Sequence, residues 1–401
     1  EAYADCMKIG LFNDSFPPMI DGVAQTVKNY AEYLQKNHAQ VTVVTPKYRH
    51  VVDDYPFQVY RYQSVPTGKR VGYRAGNPLE PAALFQLRKM HFDLMHIHSP
   101  FASSVLVKAL NRSPKVPVVL TYHTKFDIDI AKRVPNRALQ KVALQFVKAN
   151  INAVDEVWAV TERCGESLRD IGYKGRYMVM ENGTDFAYGQ ASPDAIAELK
   201  EKYHIPDDTF VFLFVGRMMW YKNLKLILDS LKIAKEAGLP FRALLVGDGY
   251  DAKDIRTYAK EIGLEKEAIF TGAIYDREYL RVFYSLADMF LFPSTYDTSG
   301  IVVKEAAACD CPTLLVRGSC AAEGAKDHYS GFLAEENAES CGEAILSACQ
   351  SRDHLAAVGH QAGESLYLSW EDAVARAYAR YEEILKTWPG PLPYNARSGK
   401  R

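Results

Sequence analysis

"FVFLFVGRMMWYKNLKLIL", residues 210–228, begins with a short apolar, β-rich run, turns over a glycine, and continues with apolar residues at helical spacing. A strand, a short turn and a helix make one βα unit. The same punctuation recurs along the chain. In the first half, strands are expected at 8–12, 41–45, 93–98, 117–122, 156–160 and 177–181; a second series follows at 210–215, 242–246, 268–272, 288–292 and 312–316. Strands separated by helical stretches predict parallel sheets, so the chain reads as two doubly wound α/β domains in tandem.

Length supports two domains, since 401 residues exceed the usual size of one. The boundaries are expected at 7–187 and 188–369, with "TDFAYGQASPD" (184–194) as a polar linker. A last helical stretch, about 370–387, is expected to pack back on the first domain, before a Pro/Gly-rich tail, "PGPLPYNARSGK", expected to be mobile.

Composition narrows the function classes. Apolar residues at 48% and charged residues at 24% are ordinary for a globular protein, and no run approaches the eighteen apolar residues of a membrane span. The opening "EAYADCMKIGLF" lacks a basic segment followed by an apolar one, so no secretory signal is expected and Met7 reads as a natural start. Seven cysteines, an odd number without C-x2-C spacing, predict neither a metal site nor a disulfide scaffold, and a reducing cytoplasm is the simpler expectation. The net charge of -1 conceals an asymmetry: residues 1–190 carry 24 Lys and Arg against 18 Asp and Glu, and the remainder 24 against 31.

In open parallel sheets ligands bind outside the carboxyl ends of the strands, and two such domains facing each other make a cleft. No G-x-G-x-x-G follows either first strand. "VGDGYD" (246–251) lacks the third glycine, and there is no P-loop, so nicotinamide and flavin cofactors are not expected.

Other residues must therefore bind any phosphate. Arg217 follows the strand run and Lys222 opens the next helix, and two cations there suit an anion, the alternative being two solvated charges. In "STYDTSGIVVKEAAA" (294–308), Asp297 lies in a post-strand loop, Gly300 permits close backbone approach, and Glu305 sits early in the following helix. Backbone N–H groups from Thr298 and Ser299 to Ile301 would add a second phosphate contact, typically worth about 0.3–2 kcal/mol at a helix start. The two carboxylates suit sugar hydroxyls; capping or salt bridging is the competing reading.

"VGRMMWYK", "DTSGIVVKE" and "MENGTDF" closely resemble the family 4 retaining glycosyltransferases, which have the GT-B fold, and the resemblance extends over nearly the whole chain. It implies that Arg217 and Lys222, with Gly216 beside them, hold the diphosphate of a nucleotide-sugar donor. An acidic pair spaced E-x7-E would hold the two sugars, Glu305 the ribose and Asp297 the transferred hexose. Ala273 and Ile274, in "TGAIYD", would meet the base through their backbone. Gly22, in "NDSFPPMIDGV", would approach the donor phosphates, and His123, in "TYHTKFD", the transferred sugar. His98 is expected to border the cleft and His96 to be packed. Two positions depart from the family pattern. Asp297 stands where Glu is usual, with on the order of 1.5 Å less reach, and Asp310 replaces a common glycine.

The resemblance further implies a hexosyltransferase that retains anomeric configuration and needs no metal or other cofactor, with a UDP-sugar favoured over a GDP-sugar. "FDIDI", with Asp127 and Asp129, is the competing D-x-D metal signature, read here as charged loop residues. "YHTKFD" is also similar to the segment in the diacylglycerol glucosyltransferase branch. Basic residues Lys132, Arg133, Arg137 and Lys141 alternate with apolar ones and would dock on an anionic membrane surface, at ~1 kcal/mol per charge, the competing reading being a solvated helix face packed on the first domain's sheet. The expected acceptor is a lipid such as diacylglycerol, and the location cytoplasmic, peripheral on the inner face of the plasma membrane; no nucleic-acid partner is expected. The alternatives are a transferase acting on a saccharide and a GT-B-fold nucleotide-sugar epimerase.

Overall fold

The computed structural model describes residues 6–19, 21–67, 74–112, 115–125, 130, 134 and 136–389. The chain divides into two compact units: one holds the residues up to Asn182 together with the helix Trp370–Thr387, the other Gly183–Ser369.

The first unit contains β1 (Lys8–Phe12), β2 (Gln40–Pro46), β3 (Gln58–Tyr62), β4 (Ser64–Pro66), β5 (Arg74–Gly76), β6 (Leu94–Ile97), β7 (Val118–Tyr122), β8 (Glu156–Ala159) and β9 (Met178–Val179). Seven of these form one parallel sheet in the order β3-β2-β1-β6-β7-β8-β9, while β4 and β5 pair as a separate antiparallel hairpin. The second unit contains β10 (Phe210–Val215), β11 (Phe241–Val246), β12 (Ala268–Gly272), β13 (Met289–Phe292), β14 (Thr313–Val316) and β15 (Phe332–Ala334), ordered β12-β11-β10-β13-β14-β15. Each sheet reverses its strand order once, between β1 and β6 and between β10 and β13. Loops leaving those pairs part to opposite sides and leave a crevice, which is where such folds bind ligands.

The core strands are apolar because both faces of a parallel sheet are covered: β7 and β13 are buried at every position. β3, "QVYRY", is an edge strand with half-buried residues, and β15 has only three, so neither carries the apolar run by which strands were expected. The first helix, Gly22–Asn37, starts where Asp21 accepts from the Val23 and Ala24 amides at 2.7 and 3.0 Å.

Residues 184–194, expected as a linker, are bonded to the second unit. The Thr184 amide donates to Leu368 O at 2.9 Å and the Gly189 amide to Ala308 O at 2.8 Å. The Tyr188 hydroxyl donates to Asp310 Oδ1 at 2.7 Å. Asp310 adopts φ 53°, the left-handed conformation that favours glycine, and its carboxylate anchors this segment, so the departure at that position has a local structural role.

The first unit is closed by the helix Trp370–Thr387. Trp370 packs against Tyr30, and Arg380 donates to both oxygens of Glu156 at 2.9 and 2.6 Å. Tyr381 meets His96 Nδ1 at 2.5 Å, and His96 Nε2 lies 2.7 Å from Thr121 Oγ1. His96 stacks on His98, whose Nδ1 is 2.8 Å from His123 Nε2. His98, expected at a cleft border, is only 2% exposed, because it stacks between two other imidazoles.

Burial pushes the imidazoles of His96 and His98 well down and that of His123 to about 3, so all three are neutral near pH 7. The unfolded chain binds protons at these sites near pH 6.5 and the folded chain does not. Stability is therefore complete above that pH and is lost as pH falls towards the depressed values, by about 1.4 kcal/mol per unit for each histidine. Urea denaturation between pH 7 and 5 is expected to show this slope, shallower by about one proton in His98→Phe.

Candidate active site

In the second unit, the loop after β10 is held by the loop after β11. The Gly216 amide donates to Val246 O and the Met218 amide to Asp248 O, both at 3.0 Å; the Asp251 amide returns to Met218 O at 3.1 Å. Gly247, at φ 144°, makes this possible, since a Cβ there would lie 1.8 Å from Gly216 O. The glycines of "VGDG" thus serve backbone packing. The Gly247 amide also donates to Gly272 O at 3.0 Å, which ties in the β12 turn just ahead of exposed Ala273 and half-buried Ile274.

A single 3-10 turn, Trp220–Lys222, ends at Asn223 in the left-handed conformation, φ 62°. Asn223 Nδ2 donates to Pro293 O at 2.7 Å and to Glu336 Oε1 at 2.8 Å, joining this turn to the loop after β13. Lys222 Nζ accordingly meets Asp297 Oδ1 at 2.5 Å, and Ser294 Oγ donates to Asp297 Oδ2 at 2.6 Å. The rings of Tyr221 and Tyr296 stand 4.7 Å apart, with the Lys222 ammonium within 6 Å of both, at 5.9 and 5.7 Å. Arg217 is exposed, and among the described residues it forms no ion pair. The sheet reversal thus brings Arg217, Lys222 and Asp297 to the ends of two adjacent strands.

Thr298 and Ser299, both half-buried, lead to Gly300 at φ 55°, and the helix Ile301–Ala308 begins directly after it. The first amides of a helix lack partners within it, so this end is suited to an anion. Glu305, on the buried face, is 4% exposed. Its Oε1 accepts from Arg277 Nη2 at 2.6 Å and its Oε2 from the Tyr284 hydroxyl at 2.7 Å. Arg277 also donates to Asp185 through Nε at 2.9 Å and Nη2 at 2.6 Å. Burial raises the Glu305 carboxyl, while Arg277 and the Tyr284 hydroxyl act in the opposite sense. Burial also works against the charge on Arg277, but the Glu305 and Asp185 carboxylates outweigh it and hold the guanidinium above its ordinary value.

Both carboxylates expected to meet sugars are thus ion-paired. A carboxylate has about four acceptor positions, so each retains capacity for a hydroxyl. Arg277, Tyr284 and Asn223 escaped the sequence reading, and Asp185 was seen only inside "MENGTDF". The available signal was chemical: a buried glutamate needs a cation, but the cation lies 28 residues away.

In the first unit, Gly22 is exposed at the start of its helix and His123 is 6% exposed, just beyond β7. Arg137 and Lys141 are exposed on the helix Arg137–Asn152. Lys132, Arg133, Asp127 and Asp129 lie outside the described residues. Among the described residues no group of three His, Cys, Asp or Glu is placed to hold a metal, and no helix is long and apolar enough to cross a membrane.

Two Rossmann-like α/β units, with polar residues gathered where the second sheet reverses, define the GT-B class of glycosyltransferases. Residues 20–188 match the family described as Glycosyltransferase Family 4, and residues 195–364 match Glycosyl transferases group 1. The chain belongs to this family and is a glycosyltransferase. It is 26% identical over 317 residues to the alpha-monoglucosyldiacylglycerol synthase of Streptococcus pneumoniae, covering 77% of this chain and 70% of that one. It is 23% identical over 392 residues to a GDP-mannose-dependent alpha-mannosyltransferase of Corynebacterium glutamicum, covering 94% and 89%. Among solved structures, Anabaena HepE in complex with UDP shares the fold with a TM-score of 0.76 at 19% identity, covering 95% of this chain and 100% of that one.

Arg277→Ala leaves Glu305 buried beside Tyr284 without a cation. The expected cost near pH 7 is roughly 2 kcal/mol, below the ~3–5 of a fully buried pair, because the Arg277 side chain is 42% exposed. Losing the cation raises the folded-state Glu305 pKa further, so the deficit should grow as pH rises above the ordinary carboxyl range and shrink as it falls. Denaturation curves of variant and wild type from pH 5 to 8 measure it.

Proposed function

We propose that this protein transfers a hexose, with retention of configuration, from a nucleoside-diphosphate sugar to a hydroxyl of a membrane lipid such as diacylglycerol, a UDP-sugar being the favoured donor. The observation that carries the reading is the convergence of Arg217, Lys222 and Asp297 at the β10–β13 reversal, with the start of the helix Ile301–Ala308 beside them.

Arg217, Lys222 and the amides at Gly300 and Ile301 would bind the diphosphate. As the bond between the anomeric carbon and the phosphate oxygen breaks, its electron pair passes to that oxygen, and these groups stabilise the charge. The acceptor oxygen bonds to the same carbon on the face that the phosphate leaves, and its proton passes to the departing phosphate. Asp297 holds Lys222 and accepts from the hexose, and Glu305 accepts from the ribose. His123, neutral because it is buried, serves as a hydrogen-bonding group rather than a cation. Arg217 and the Asp297-held Lys222 do the work that a divalent ion does elsewhere, so no metal is required.

The lipid acceptor draws support from the helix Arg137–Asn152. Its buried residues are confined to Val147, Asn150 and Ile151, while Leu139, Val142 and Phe146 stand 58%, 66% and 43% exposed along one side. Arg137 and Lys141 accompany that apolar stripe, the combination by which a helix lies in a bilayer interface. The relative described as a monoglucosyldiacylglycerol synthase supports the same acceptor.

Activity is expected to persist in EDTA, the NMR spectrum of the product should show the donor's anomeric configuration, and Lys222→Ala should lower kcat by about 10²–10³-fold. Strict dependence on magnesium or manganese, or an inverted product, would count against the mechanism. The protein should float with anionic vesicles at low salt and lose that binding in Leu139→Ser/Phe146→Ser. Transfer to a soluble saccharide without vesicle binding would replace the lipid with a glycan acceptor.

A further inference from the structure

The carboxyl ends of β2 and β3 carry a feature that the transfer reaction does not use. Lys47 and Arg49 leave β2, Ser64 begins the hairpin after β3, and the returning strand β5 places Arg74 against them around a cavity of ≈ 350 Å³. Among the described residues, the side chain of Arg74 is held by neutral oxygens. Its Nε donates to Ser64 Oγ at 2.8 Å and to Lys47 O at 3.0 Å, and its Nη2 to Ser64 O at 2.8 Å. Of the carboxylates nearby in the chain, Asp53 pairs with Arg61 at 2.7 and 2.8 Å, and Glu80 accepts at 2.7 Å from the amide of Gln63, itself a lining residue. Among the described residues the cavity lining therefore has three cations and no carboxylate.

A guanidinium fixed before any ligand arrives loses little entropy on binding, and a planar fork with two flexible cations suits a tetrahedral dianion. The volume exceeds that of a bare phosphate and leaves room for a small polyol attached to it. We propose that this cavity is a second anion site, on the first unit and separate from the donor machinery, which binds the phosphate group of a small phosphate ester or of a phospholipid headgroup. The site does not depend on the identity of the sugar acceptor.

The test is calorimetric titration of the full chain with glycerol 1-phosphate, with glycerol as the neutral control, and flotation with phosphatidylglycerol vesicles against phosphatidylcholine vesicles, each with UDP saturating the second unit. Flotation uses the Leu139→Ser/Phe146→Ser background, which removes the binding expected of the helix Arg137–Asn152. Wild type is expected to bind at least one phosphate probe and not glycerol, with affinity falling as salt rises. Arg74→Gln should weaken binding at least tenfold. Lys47→Gln, an exposed side chain whose replacement leaves the fold intact, should weaken it several-fold. Binding of the soluble ester identifies a small metabolite as the source, and binding of vesicles alone, lost in Arg74→Gln, identifies a headgroup. The proposal is overturned if neither probe binds, if UDP abolishes the binding, or if both variants bind as wild type does.

Discussion

The ion pair between Lys222 and Asp297 spans the point at which the second sheet reverses, and the catalytic account depends on it. A partly buried ammonium, with 13% of its side chain exposed, needs an anion nearby. Asp297 supplies it from the neighbouring strand's loop, and Ser294 fixes the carboxylate in turn. The pair thereby sets where the lysine charge lies relative to Arg217 and to the helix that starts at Ile301. A diphosphate bound there would share the ammonium with Asp297, so the cation is positioned before the leaving group develops its charge. The aspartate, where the family usually has glutamate, reaches Lys222 directly.

A second constraint is the burial of Glu305. Nothing about an apolar helix favours a carboxylate on its inner face, and the Arg277 and Tyr284 contacts compensate for that burial. Arg277 reaches across to Asp185, close to where the chain enters the second unit, so the Glu305 carboxylate and the entry of the chain are held by one guanidinium. Tyr188 and Asp310 fasten the same entry a few residues later.

The parts of the fold legible in the sequence are those written in local pattern. Buried strands such as Val118–Tyr122 and Met289–Phe292 are continuous apolar runs, and the β10 turn brings Arg217 and Lys222 within six residues of each other. Asp297 and Glu305 likewise lie on one loop and one helix. What escaped depends on contacts distant in sequence: the partnership of Arg277 with Glu305, the hold of Asn223 on Pro293, and the edge strand Gln58–Tyr62, which is half-buried. The glycines of "VGDG" were visible, but their purpose, close approach to Gly216 O, required the neighbouring loop. The burial of His98 was not legible for the same reason, because it comes from stacking with His96 and His123.

The measurement that bears most directly on the central claim is thermal stabilisation by a panel of UDP- and GDP-sugars, for wild type beside Arg217→Ala and Glu305→Ala. The account predicts that a UDP-sugar raises the melting temperature of wild type and that both variants lose most of that rise. Variants that respond as wild type does would show that the donor is bound elsewhere and would contradict the site described.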